Sequence, residues 1–220
     1  MIIPIRFAMN SVFLIKGDNG NILIDAGMKG QNDRIMKVLS ENGAEKIDLI
    51  IITHAHIDHF GNIDELNCKL KAPVLIHEND LEWLKKGENA PSKPYGFKGK
   101  TMLKMFGGMQ KRIPNGYVAD IIMKGYTFNL ESYGVNARII HTPGHTAGSV
   151  SVISDEGYAV IGDLLMSFVV KKNPGYPIYV YDVDIWKNSL KKVLDTDVEI
   201  MYPSHGEVYS RENVKKKFFK

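Results

Sequence analysis

The stretch Thr53-His54-Ala55-His56-Ile57-Asp58-His59 puts four side chains with metal affinity within six residues. It follows Ile47-Asp48-Leu49-Ile50-Ile51-Ile52, an apolar run that reads as a buried strand. So many ligating groups at the mouth of a strand are hard to explain as packing, and a solvated polar loop does not explain the strand that leads into it. Imidazole nitrogen and carboxylate oxygen suit zinc, iron or manganese rather than calcium. On an extended segment His54 and His56, two apart, point the same way. Asp58 and His59 lie where the chain can turn, so this one group can be split between two ions.

Three later positions extend the pattern. His145 lies in His141-Thr142-Pro143-Gly144-His145-Thr146, Asp163 in Ile161-Gly162-Asp163-Leu164, and His205 in Pro203-Ser204-His205-Gly206. Each follows an apolar run that reads as a strand, and ligands delivered from strand ends onto one rim are what a rigid metal site needs. Five of the seven histidines fall in this set. The other two, His77 and His141, read as structural, with His141 suited to hydrogen bonding behind the ligands.

The run His-x-His-x-Asp-His, then Thr-Pro-Gly-His-Thr, Gly-Asp and a late His-Gly, resembles the metallo-β-lactamase superfamily. The order and spacing fit from Asn21-Ile22-Leu23-Ile24-Asp25-Ala26-Gly27 to His205. The resemblance implies that His54, His56 and His145 hold one divalent metal, that Asp58, His59 and His205 hold a second, and that Asp163 bridges them. It implies zinc foremost, with iron or manganese as the other choices, and a loop-fixing place for Asp25 behind the ligands. It also implies an α/β fold, a four-layer αββα sandwich with pseudo-twofold symmetry. Periodicity alone gives only mixed α/β.

At 220 residues one domain spanning 1–220 is expected, large enough for a substantial core. No apolar run approaches the ~20 residues of a membrane helix, and Met1-Ile2-Ile3-Pro4-Ile5-Arg6 lacks the basic start of a signal peptide. Cys68, the single cysteine, excludes an intrachain disulfide and reads as a small, at least half-buried residue on a helix flank. A cytoplasmic location is the default expectation. The net charge of +3 is too small to imply nucleic acid. It is unevenly spread: residues 86–118 hold six Lys and Arg112 against Glu88, so the rest of the chain is net negative.

Met1–Ala8, Val12–Lys16 and Asn21–Asp25 read as strands, the last two joined by a Gly17-Asp18-Asn19-Gly20 hairpin turn. Lys29–Asn42 reads as a helix ended by Gly43, and Asn62–Leu70 as a short one with Ile63, Leu66 and Leu70 inward. Ala72–His77 is a strand, and Asn79 is placed to cap a helix over Asp80–Lys86. Strands follow at Phe128–Leu130, Val135–Ile140, Val150–Ser154 and Tyr158–Ile161. Asp184–Leu194 reads as an amphipathic helix with Ile185, Leu190, Val193 and Leu194 inward, Glu199–Tyr202 as the last strand, and Arg211–Lys220 as a basic helix.

Residues 87–118 are the most individual part. Met102, Met105, Phe106 and Met109 recur at helical spacing beside Lys100, Lys104 and Lys111, with Gly107-Gly108 as an interruption. The pattern fits a satellite apolar cluster, a contact between copies in a homo-oligomer, or a lid that is apolar within and basic at its edge. A second wall is Lys171-Lys172-Asn173-Pro174-Gly175-Tyr176-Pro177-Ile178-Tyr179. Met105, Phe106, Met166, Tyr176 and Tyr179 are the candidate substrate contacts, although tyrosines in such a loop also serve as packing.

The activity implied is a binuclear metallo-hydrolase in which a metal-held hydroxide attacks a carbonyl and Asp58 orients it and carries a proton. The expected substrate is a small, anionic or amphiphilic acyl ester, thioester or lactone. Only 15 residues follow His205, so the helical glutathione-binding domain of many glyoxalase II enzymes is not expected. Acyl-homoserine lactonases often carry Tyr three residues after the bridging Asp, where this chain has Met166. The alternatives are a single-iron persulfide dioxygenase-like oxidoreductase and a phosphodiesterase or nuclease of the same fold. Neither a membrane nor a nucleic-acid partner is expected.

Overall fold

The computed structural model describes residues 1–106, 113, 116–167 and 173–219, apart from the side chains of Lys98, Met102, Leu103, Met105 and Phe106. In chain order the elements are β1 (Ile2–Arg6), β2 (Ser11–Lys16), β3 (Asn21–Ile24), α1 (Asn32–Glu41), β4 (Leu49–Ile51), α2 (Ile57–Phe60), α3 (Ile63–Leu70), β5 (Val74–His77) and α4 (Glu78–Lys86). Then come β6 (Lys93–Pro94), α5 (Gly96–Phe106), β7 (Ile121–Met123), β8 (Thr127–Asn129), a 3₁₀ turn (Glu131–Tyr133), β9 (Ala137–His141), β10 (Val150–Ser154) and β11 (Tyr158–Val160). The chain closes with β12 (Tyr179–Val180), α6 (Val183–Leu194), β13 (Ile200–Tyr202), β14 (Tyr209–Ser210) and α7 (Arg211–Phe218).

Two six-stranded sheets form, ordered β1-β2-β3-β4-β5-β7 and β14-β13-β11-β10-β9-β8. Their apolar runs are continuous because both faces are buried. Successive side chains alternate: Phe13, Ile15, Ile22, Ile24, Leu49 and Ile51 meet Ile139, Val150, Val152 and Val160 between the sheets. Their neighbours Val12, Leu14, Leu23, Ile50 and Ile52 face outward onto Ile35 and Leu39 of α1, Ile63 and Leu66 of α3, and Leu84 of α4. The second sheet turns Ile140, Ile153, Ala159 and Met201 onto Trp186, Leu190 and Val193 of α6 and Val214 of α7. The result is the αββα sandwich. Each fully buried Leu or Ile contributes about 1.5–3 kcal/mol, and truncating one such as Ile50 to Ala costs about 2–5 kcal/mol with its cavity.

The two sheets repeat one topology. In the first, β2 and β3 pair antiparallel, and β4 then adds parallel to β3. In the second, β10 and β11 pair antiparallel, and β13 adds parallel to β11. The residues just beyond β3 and β11 include Asp25 and Asp163, and those beyond β4 and β13 include His54 and His205. The repeat therefore delivers all four to one rim.

Several local expectations are corrected. α6 starts at Val183, with the Asp182 carboxylate accepting from the Ile185 N–H. Trp186 is buried and Ile185 is 39% exposed, because Trp186, Leu190 and Val193 form the i, i+4, i+7 face. α4 is capped by His77, whose Nδ1 accepts from the Asn79 N–H, so the cap lies two residues before the expected one. Cys68 is exposed, since α3 turns Ile63 and Leu66 inward and leaves Cys68 on its outer face. β7 and β14 are short strands that the sequence pattern did not reveal. So is the ribbon that pairs β6 with β12. Gly107, Gly108, Met109, Lys111, Arg112, Lys171 and Lys172 lie outside the described residues, as do the side chains of Met105 and Phe106. Among the described residues no helix is long and apolar enough to cross a membrane.

Candidate metal centre

β4 ends at Ile51, and the chain continues through Ile52 and Thr53 and then bends toward the single helical turn of α2. His54 and His56 lie in the bend between β4 and α2, not on a strand; the His56 N–H donates to the His54 carbonyl, and His56 occupies the N-cap position of α2. The turn is fixed from beneath by Asp25. Its Oδ1 accepts from the Thr53 N–H at 2.8 Å and from Thr53 Oγ1 at 2.9 Å. Asp25 holds a left-handed backbone, φ 65°, which Asp and Asn tolerate better than most side chains.

Asp163 arrives from β11 through Gly162, at φ 50°, where a Cβ would lie 3.1 Å from Thr53 Cβ. His145 follows Gly144, at φ 135°, where a Cβ would lie 2.3 Å from the Trp186 backbone. These two glycines explain why the Gly-Asp and Thr-Pro-Gly-His signatures need glycine.

All seven proposed ligands converge. One group is His54, His56, His145 and Asp163, another is Asp58, His59 and His205, and within each the ligand atoms lie within 4.8 Å of one another. Asp163 reaches both groups. Its Oδ2 lies 3.7 Å from His54 Nε2, 3.3 Å from His145 Nε2 and 3.5 Å from His205 Nε2, and its Oδ1 lies 3.4 Å from His59 Nε2. Asp58 Oδ2 lies 3.1 Å from His205 Nε2 and 3.7 Å from His59 Nε2. Ligands about 2.1 Å from a tetrahedral ion stand roughly 3.4 Å apart, which matches these separations.

The hydrogen bonds behind the rings assign their tautomers. His59 Nδ1 donates to Asp25 Oδ2 at 2.7 Å, His145 Nδ1 to the Tyr179 carbonyl at 2.7 Å, and His205 Nδ1 to the Met9 carbonyl at 2.6 Å. Thr53 Oγ1 gives its proton to Asp25 and so accepts from His54 Nδ1 at 3.0 Å. His56 is reversed: its Nε2 donates to the Ala90 carbonyl at 3.1 Å. Four rings therefore present Nε2 lone pairs and His56 presents Nδ1. His145 Nε2 and His56 Nδ1 then face each other at 3.0 Å with no proton between them. His54 Nε2, His59 Nε2 and Asp163 Oδ1 are buried with no hydrogen-bond partner. Buried polar atoms are costly when unsatisfied. Lone pairs converging on one another are satisfied by a cation, so the residues present fit divalent ions.

Protonation differs between the groups. Burial pushes His54 well below the ordinary histidine value, also lowers His56, and holds His145 at about 4. Burial would lower His59 too, but Asp163, Asp25 and Asp58 outweigh it and raise it well above the ordinary value; His205 is raised against burial by Asp163 and Asp58. Burial works to raise Asp163, yet His205 and His59 bring it down to about 2. Asp58 is lowered below its ordinary value in the same way, by His59 and His205.

The remaining candidates are placed as follows. Tyr179 touches the centre through its carbonyl. Met166 is buried, its backbone bridged to His205 and Gly175. Tyr176 packs its ring among Tyr95, Trp186 and Phe218. His141 stacks on His77 at 3.8 Å and meets the Ala147 carbonyl, two residues beyond His145, through its Nε2. The carbonyls of Met9, Ala90 and Tyr179 were missed by sequence reasoning, as was the buried carboxylate of Asp80. Only Asp80 has a residue-type signal, and its place in the first turn of α4 reads equally as a favourable helix start.

The comparisons with known proteins agree with this architecture. Residues 5–205 match the model of the metallo-β-lactamase superfamily, and the chain belongs to that superfamily. It is 31% identical over 213 residues to a probable metallo-hydrolase of Methanocaldococcus jannaschii, covering 93% of this chain and 91% of the relative. Among solved structures it is similar to the B3 metallo-β-lactamase BLEG-1, with TM-score 0.76, 21% identity and coverage of 100% and 98% of the two chains. It is also similar to TTHA1623 in a di-iron-bound form, with TM-score 0.69, 21% identity and coverage of 99% and 98%. The fold and family are those of a metallo-hydrolase.

Proposed function

We propose that the protein is a binuclear metallo-hydrolase that cleaves a small acyl ester, thioester or lactone, acting as one domain. The observation that carries this reading is the convergence of ring lone pairs and carboxylates into two adjoining groups with Asp163 between them. His54, His56 and His145 would hold one ion, Asp58, His59 and His205 the other, and Asp163 both. Zinc is the first choice for this donor set, with iron and manganese next; a structural neighbour binds two irons. Two such ions supply hydroxide near neutral pH and a Lewis acid for the electrophilic oxygen.

The chain's own residues divide the remaining work. Asp163, with its side chain 2% exposed, is walled in as a ligand. The Asp58 side chain is 35% exposed, so it keeps an edge open to water. The neighbours that keep it ionised also make it a weak base, so its first work is to accept a hydrogen bond from the attacking water and orient it, and any proton it takes up passes readily to the leaving group. The backbone carbonyls behind His56, His145 and His205 fix the rings before substrate arrives, which lowers the reorganisation each step needs. Lys93, Lys100 and Lys104 are exposed on the excursion that begins beside His56, which favours an anionic substrate.

The test is proton release by the metal-reconstituted protein on a glutathione thioester, an acyl lactone, a β-lactam and a phosphodiester, with Asp163→Ala as control. Turnover of the thioester or lactone, lost in the control, is expected. Turnover of the phosphodiester alone overturns the acyl assignment. Oxygen uptake by the iron-loaded protein on a persulfide, with no hydrolysis, overturns the hydrolase.

A further inference from the structure

Asp80 is wholly buried, and it spends its carboxylate on the ligand loops and not on its own helix. Its Oδ2 accepts from the Ala55 N–H at 2.8 Å and from Thr146 Oγ1 at 2.7 Å, and its Oδ1 accepts from the Gly148 N–H at 2.8 Å. Ala55 stands between His54 and His56, and Thr146 follows His145. One carboxylate therefore ties together the two chain segments that carry all three histidines of the first group. His56 and His145 are 89 residues apart in sequence, so no local turn can set their separation.

The approach is close. A Cβ on Gly148 would lie 2.6 Å from Asp80 Cγ, so only glycine lets that loop close onto the carboxylate. Thr146 is held a second time through Ser149 Oγ, 2.8 Å from its hydroxyl. Burial raises Asp80 above the usual carboxylate range against its three donors. A buried carboxylate is a costly way to anchor a helix that Leu84 already packs into the core. Asp25 has a parallel place on the other side, where it meets Thr53 and holds His59 directly.

We propose that Asp80 is a positioning residue for the first metal, setting the distance between the His54–His56 turn and His145. This rests on the binuclear reading above. Asp80 touches no ligand side chain, and its loop partners Thr146 and Gly148 adjoin only His145. Its third partner, the Ala55 N–H, lies between His54 and His56 but only three residues before Asp58, so Asp80 acts first on the first ion and more weakly on the second.

The test is competition of the metal-loaded protein against a chelator, which reads two dissociation constants without reference to activity. His145→Ala marks which constant belongs to the first group. Asp80→Asn keeps the shape but turns an amide N–H toward one of the three donors. It is expected to weaken the first constant by about 10–100-fold, as lost supports behind metal ligands do, and the second by clearly less. Thr146→Val, which removes one contact and keeps both backbone donors, is expected to shift the same constant in the same direction by less. Unchanged constants in both variants overturn the proposal, as does equal weakening of the two ions. If Asp80→Asn does not fold, Thr146→Val decides alone. A wild-type protein that retains no metal overturns the binuclear reading itself, an outcome distinct from the others.

Discussion

The two ligand groups share Asp163 and little else. The first consists of three histidines whose outer nitrogens rest on neutral acceptors: the Thr53 hydroxyl and the carbonyls of Ala90 and Tyr179. The second has a charged ligand, Asp58, and a charged support, Asp25 behind His59. One residue type consequently behaves in opposite ways. Burial lowers the first histidines below the ordinary value, while nearby carboxylates raise His59 and His205 above it. The number of nearby carboxylates, and not the depth of burial, separates the two halves of the centre.

The largest effect comes from removing what the halves share. Asp163→Ala leaves both groups without their common carboxylate. We expect loss of both ions by elemental analysis, and a fall in turnover on the order of 10³-fold, since the metal's charge stabilisation is worth several kcal/mol. Retention of two ions at full strength would mean that Asp163 does not link the groups.

Asp25→Asn tests the charged support. Asn tolerates the left-handed backbone at this position, so backbone strain is not the variable. Its amide N–H must face either the Thr53 N–H or the His59 Nδ1–H. The second ion is expected to bind about 10–100-fold more weakly, with a smaller loss for the first through Thr53 and His54. Equal losses would show that the Asp25 carboxylate braces the whole turn and not one half.

Acid should separate the groups without any mutation. A ligating histidine must be deprotonated. His59 and His205, raised above the ordinary value, bind their ion in exchange for protons, so the second ion's affinity falls as pH drops from neutrality. The first group is lowered, to about 4 for His145, and keeps its ion further into acid. Bound metal per chain measured against pH should step from two to one before reaching none. Simultaneous loss would erase the distinction.

What was legible in the sequence follows the same physical line. Ligation demands particular side chains, so His54, His56, Asp58, His59, His145, Asp163 and His205 stand out by type and spacing, and the structure brings them to one rim. The doubly buried strands are legible because both faces must be apolar. The supports are not: the carbonyls of Met9, Ala90 and Tyr179 belong to the backbone and carry no residue signature. Ile185 and Trp186 are adjacent and both apolar, and Trp186 faces in because it lies four residues before Leu190 and seven before Val193.

Away from both groups, the stacked pair His77 and His141 gives the smallest effect and a control for the others. His77 is buried and His141 half-buried, and neither belongs to the two ligand groups. His77 is lowered, and His141 is brought to about 4, by burial first and then by His77 and Lys192, against the Ala147 carbonyl that raises it. A histidine lowered in the folded protein takes its proton more readily when unfolded. Its penalty on stability is therefore absent above the unfolded value near 6.5, and grows as pH falls toward 4. His141→Gln keeps a donor for Ala147 and cannot titrate. Its urea midpoint should fall less steeply than wild type between about pH 6.5 and 4.5, and the ratio of the two metal affinities should stay fixed. A change in that ratio would show that the His77–His141 stack reaches the centre through Ala147 and the His145 loop, and that the first group's supports extend beyond its own hydrogen bonds.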